Sequence, residues 1–157
     1  MKKLLRAVLV SVLLLLMVLP AFAAGTVTFS PFYNRENDLY IITISWTAGG
    51  GGAVTAVPFP TPISSNLQGR YIVEVITIPG TAGAAPTNLY DITLIEPYGT
   101  DVMGGSLVDR STTATERARP LPDPTKYSGL IPGVLTFTLI NNTNASATGR
   151  AILFISK

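Results

Sequence analysis

The chain has 157 residues, 11 of them basic and 9 acidic, for a formal charge of +2, and it contains neither histidine nor cysteine. Those two absences exclude Ser-His-Asp and Cys-His nucleophile systems, the usual zinc and copper ligand sets, and disulfide staples. What remains is oxygen chemistry: carboxylates, hydroxyls, amides and a few arginines and lysines.

Residues 1–23 read as a cleavable export signal. Lys2, Lys3 and Arg6 give a positive start, residues 7–19 are apolar except for Ser11, Pro20 breaks the helix, and Ala21-Phe22-Ala23 offers small side chains before Ala24. The apolar run falls short of the roughly 20 residues that a spanning helix needs. The expectation is an exported protein (extracellular, cell-surface or periplasmic) of bacterial type, with no membrane span after cleavage. Without the three signal cations, eight basic residues face nine acidic ones. The mature chain then has no basic surplus for nucleic acid.

Residues 24–157 read as one domain built of strands and turns. Residues 26–33 alternate weakly and form a candidate first strand. The polar turn 34–38 leads into the clearest strand, 39–47, with Tyr40, Ile42, Ile44 and Trp46 on one face at period two. Its other face grows more polar along the strand. The four glycines at 49–52 read as a loop, because no helix follows to make a phosphate cradle. Pro58, Pro60 and Pro62 predict an extended, irregular connection. Residues 70–78 are the next strand, with Tyr71, Val73 and Val75 predicted on one face. Residues 81–87 form a small-residue loop. Residues 89–96 follow as a strand, with Tyr90, Ile92 and Leu94 inward and Asp91 and Thr93 outward. Residues 101–103 read as a short strand before Gly104-Gly105, and 111–124 as a long loop. Residues 133–140 and 150–156 close the chain as two strong strands around a polar hairpin loop. About seven or eight short strands with Gly/Pro turns predict an all-β fold, a single β-sandwich that is Ig-like or jelly-roll-like. The predicted core is Tyr40, Ile42, Ile44, Trp46, Val73, Val75, Ile92, Leu94, Leu135, Phe137, Leu139 and Leu153.

Three kinds of site are compatible with these residues. Glu74, Asp91 and Glu96 are the carboxylates that a hydrolase could use in pairs. Asp101 and Asp109 flank a Gly-Gly turn, the sparse beginnings of a calcium site, but no Asp/Asn ladder surrounds them. Tyr33, Tyr98 and Tyr127 fall at strand ends or in loops, where ring faces could stack on sugars. Val27 and Phe29 lie in the first strand, which can pair with a neighbour's edge.

The run Asn88-Leu89-Tyr90-Asp91-Ile92-Thr93-Leu94, then Gly99-Thr100-Asp101-Val102-Met103-Gly104-Gly105, Arg110-Ser111 and Thr115-Glu116 resembles a loosely defined group of small β-rich proteins predicted from bacteriophage and bacterial genomes. The resemblance spans roughly residues 87–157. It implies a shared fold and carries no activity with it, and the export signal sets this chain apart from the group. The leading expectation is a non-catalytic exported module, a structural or interaction subunit that uses no cofactor and pairs with protein, itself included, through an edge strand. The alternatives are a carbohydrate-binding module using exposed tyrosines and a carboxylate-dependent hydrolase.

Overall fold

A computed structural model describes residues 24–122 and 129–157. The predicted signal, Lys126 and Tyr127 lie outside the described residues. Among the described residues, eight antiparallel strands form two sheets. They are β1 (Thr26–Asn34), β2 (Leu39–Thr47), β3 (Val54–Pro58), β4 (Tyr71–Pro79), β5 (Asp91–Ile95), β6 (Glu116–Ala118), β7 (Thr136–Ile140) and β8 (Thr148–Ser156). The five-stranded sheet runs β1-β2-β8-β4-β6 and the three-stranded sheet β3-β7-β5.

From β2 onward, successive strands alternate between the sheets, and β2 pairs with β8, β3 with β7 and β4 with β6. Those pairs are the rungs of one long hairpin. Rolling it brings β8 against β4 and β7 against β5. This is the jelly-roll wrapping, and β1 is added to it as a hairpin partner of β2. The tip of the long hairpin is β5 and the segment that follows it, residues 101–110, which folds back along β5 through bridges Ile95 to Asp101 and Tyr90 to Arg110.

Period-two burial fills the space between the sheets. Ile42, Ile44, Trp46, Val75, Leu153 and Ile155 come from one sheet, and Val54, Ile92, Leu94, Phe137 and Leu139 from the other. Each such side chain contributes on the order of 1.5–3 kcal/mol when removed from water. Trp46 stands opposite Gly149, and a Cβ there would come within 2.3 Å of the indole ring. Only glycine leaves room for the ring to lie across β8.

Two members of the predicted core are placed differently. Tyr40 is only partly buried, and Val73 is 45% exposed. The register of β4 against β8 shifts between Ile72 and Glu74. This bulge turns Val73 outward with Tyr71 and puts Ile72 into the core instead, a change of face that a strict alternation cannot anticipate.

Other expectations are also corrected. The connection expected to be irregular contains a helix, α1 (Thr61–Leu67), with a proline in its first turn and Ile63 and Leu67 buried one turn apart; proline is tolerated there because the first N–H groups have no helical partner. The segment 111–124 holds β6, paired with β4. Residues 101–103 make one bridge and then a turn rather than a strand. Asp91, expected outward, is buried. No helix among the described residues is long and apolar enough to cross a membrane.

Candidate interaction surface

Two sheets have four edges, and three of them are short or covered. β6 has three residues, with Arg117 within it and Arg119 just beyond. β3 has five residues, an irregular register against β7 and a proline at its end. β5 is covered by residues 101–110, with Ile92 N–H donating to Leu107 O at 3.0 Å and Val102 N–H to Leu94 O at 2.9 Å. β1 is the exception. It runs nine residues, carries no charge, and pairs only with β2 among the described residues. Pro31 is its one feature that discourages further pairing.

The side chains expected to meet a partner from β1 serve its own sandwich. Val27 and Phe29 pack partly buried against the core, and the Phe29 ring lies 4.7 Å from that of Phe59. The opposite face of β1 carries Thr26, Thr28, Ser30 and Phe32, with Phe32 61% exposed. Any pairing through β1 therefore rests on its main chain and on this outer row.

The tyrosines do not form one platform. Tyr33 stacks on Tyr40 with centroids 4.4 Å apart, and its hydroxyl donates to Asp38 Oδ1 at 2.9 Å. Arg70 pairs with the same carboxylate at 2.9 Å, its guanidinium 4.7 Å from the Tyr40 ring centre. The hydrogen bonds from Arg70 and then Tyr33 hold the Asp38 carboxyl below its ordinary pKa, and the bond to Asp38 raises that of Tyr33. One face of Tyr33 is thus occupied. Tyr98 is 87% exposed, on the turn after β5, so the two rings belong to different sheets. Tyr127 lies outside the described residues.

The carboxylates are engaged as clamps. Glu74 pairs with Arg117 and, at 4.0 Å, with Arg119. Asp91 accepts from Asp109 N–H at 2.8 Å and from the Asn141 amide. Glu96 accepts from the N–H groups of Tyr98 and Thr100 at 2.8 and 2.9 Å. Asp101 accepts from Leu94, Met103 and Gly105 N–H at 3.2, 3.1 and 2.9 Å. Asp109 itself is exposed at a positive φ of 54°. Backbone N–H groups aimed at a carboxylate supply the positive end of a dipole where a bound cation would otherwise sit.

Polar residues of the 88–116 run thus hold the chain that covers β5. Ser111 N–H donates to Glu116 at 2.7 Å, Arg110 lies 3.7 Å from the same carboxylate, and Tyr90 is buried against Trp46 with centroids 5.8 Å apart. Burial, then the nearby Glu116 charge, pushes the Tyr90 hydroxyl up to about 12. Asn142, which in the sequence is part of the polar hairpin loop, is a further clamp. Its Oδ1 accepts from Thr87 N–H at 2.8 Å, and its Nδ2 donates to the carbonyls of Gly52 and Asn144. Gly52 sits at φ 78°, where a Cβ would overlap the Asn142 carbonyl.

A groove on the outer face of the five-stranded sheet went unrecognised in the sequence. Its volume is about 570 Å³, and Thr26, Thr28, Ser45, Thr47, Thr148 and Arg150 line it beside Trp46 and Ile78. In register, Thr26 faces Thr47, Thr28 faces Ser45, and Thr47 faces Thr148. The signal available was the alternation of Thr and Ser on the polar faces of residues 26–28 and 43–47. Strand register, which a sequence does not display, aligns them.

No protein-family model, curated protein or solved structure matches this chain.

Proposed function

We propose that this protein is a non-catalytic, exported structural or interaction module that assembles by pairing the outer edge of β1 with a second protein chain, another copy of itself included. The observation that carries this reading is the contrast among the edges: β1 is nine residues long, uncharged and open, whereas the others are short, irregular or covered. An open edge offers a row of unpaired N–H and C=O groups, and main-chain hydrogen bonds to it supply affinity without a dedicated pocket. The commitment of Glu74, Asp91, Glu96 and Asp101 to arginines and backbone amides leaves the carboxylate-hydrolase reading without support. Jelly rolls serve assembly and sugar binding alike, so the fold alone favours neither.

The test is the oligomeric state of the purified protein as a function of concentration, by light scattering. Wild type forms oligomers, and Ser30→Lys with Phe32→Lys, two exposed charges on the edge, gives monomers with an unchanged melting temperature. A wild-type protein that stays monomeric at high concentration overturns self-assembly through β1. Export is tested separately by mass spectrometry of the secreted chain, with Ala24 expected as the first residue; an intact chain held in the membrane overturns it.

A further inference from the structure

We infer that the outer groove of the five-stranded sheet is a binding site for an acidic oligosaccharide, with Arg150 holding the sugar's acid group. Three properties of the groove point there.

The first is its charge. Among the described residues no acidic side chain lines it, and Arg150, which does, makes no side-chain hydrogen bond or ion pair. The other arginines on this face behave differently, since Arg117 and Arg119 are both committed to Glu74. The strand alternation that buries Ala151, Leu153 and Ile155 turns Arg150 outward, between Ser45 on β2 and Ile78 on β4. A guanidinium presents a planar fork of donors that matches a carboxylate or sulfate in two-point fashion.

The second is its hydroxyls. Thr26, Thr28, Ser45, Thr47 and Thr148 come from three neighbouring strands and stand in register around the arginine. Each hydroxyl both donates and accepts, as each sugar hydroxyl does, so the two sets pair in several arrangements. Along a strand the rows repeat every two residues, roughly 7 Å, which suits an extended chain of repeating polar units better than a compact ligand.

The third is shape. The volume of about 570 Å³ falls in the roughly 300–1,000 Å³ range of small-ligand sites. Ile78 and Pro79 give an apolar stretch of lining for the less polar face of a sugar ring. Among the described residues no exposed aromatic ring face lines the groove to stack a nucleobase, and none of its lining residues is an acid that would favour a cationic ligand.

This site is distinct from the tyrosines and shares Thr26 and Thr28 with the outer row of β1, but its arginine and the hydroxyls tested below lie on β2 and β8. The protein carries its own reporter, because Trp46 is the single tryptophan and its buried ring lies across Gly149, a residue of the groove. Titration with trigalacturonate, its uncharged methyl ester and a sulfated disaccharide is followed by tryptophan fluorescence and by calorimetry. An acidic sugar is expected to change the emission saturably and to release heat. Arg150→Gln is expected to bind it about tenfold more weakly, the loss of one charge-assisted hydrogen bond. Ser45→Ala with Thr47→Val, which removes hydroxyls near the arginine, is expected to weaken binding as well. Tighter binding of the sulfated sugar than of trigalacturonate, lost in Arg150→Gln, supports the site and assigns the acid as sulfate. Equal binding of the methyl ester, unchanged affinity in Arg150→Gln, or no heat and no emission change with any probe overturns the inference. Arg150, Ser45 and Thr47 lie off β1, so these variants leave its outer edge intact and the outcome is read independently of the oligomeric state.

Discussion

The two flanks of this sandwich treat their edges in opposite ways. At the β5 flank the chain folds back on itself; Asp91 and Asp101 accept from backbone N–H groups of the covering segment, and Glu96 from those of the turn that leads into it. At the β1 flank there is no covering segment among the described residues, no charge in the strand and only Pro31 to interrupt pairing. An edge that must not pair is expensive to protect, and here the protection uses three of the nine acidic residues. The contrast teaches where to look for function in a chain with neither histidine nor cysteine: the flank left open, and the sheet face beside it.

That contrast can be sharpened by substitution. An open flank should not be a loose one. Trp46→Ala, one strand in from β1, is expected to cost about 3–5 kcal/mol by urea denaturation, as large aromatic truncations in cores do. A loss below about 1 kcal/mol would mean that the β1 side is only loosely attached. On the clamped flank, Asp101→Ala strips acceptors from three N–H groups. The expected loss is about 2–3 kcal/mol, together with faster amide exchange at Leu94, Met103 and Gly105. A loss near zero would show that the covering segment is held by burial of Met103 and Leu107 alone.

Alkaline pH separates the flanks differently. Burial raises the Tyr90 pKa from 10.0 to about 12, so the folded state holds that proton more tightly than the unfolded chain. The corresponding stability is fully present below pH 10 and is lost as pH rises through about 12. Denaturation midpoints measured across that window should fall for wild type and fall less for Tyr90→Phe. The smallest effect on stability is expected at the open edge itself. Ser30→Lys should change the unfolding free energy by less than about 0.5 kcal/mol, as exposed substitutions do, while reducing the oligomer population seen by light scattering. Equal effects on both would dissolve the distinction between a strand that holds the fold and an edge that binds.

Most of the sandwich was legible because apolar residues at period two leave little choice of face; Ile42, Ile44 and Trp46, or Leu135, Phe137 and Leu139, can be buried together in only one way. Val73 was misread because a bulge inserts one residue without any mark in composition. Helix α1 was hidden by its prolines, whose effect depends on whether they fall in the first turn or later. The clamps were invisible for a different reason: Asp91, Asp101 and Asn142 act on backbone groups, and the partners of Asp91 and Asn142 lie far along the chain. The groove was half visible, since its Thr and Ser residues could be seen to alternate but not to align across strands.

The rolled hairpin also fixes an order of events. β8, the last of the eight described strands in chain order, sits in the middle of the five-stranded sheet, between β2 and β4. Until it emerges, those two strands have no common partner, and the sheet exists only as the β1–β2 hairpin and the short β4–β6 pair. A chain built this way cannot close its larger sheet before β8 has been made. The folding step therefore waits for the last of the eight strands. It also means that a truncation ending before Thr148 would expose two long strands at once, turning one open edge into three.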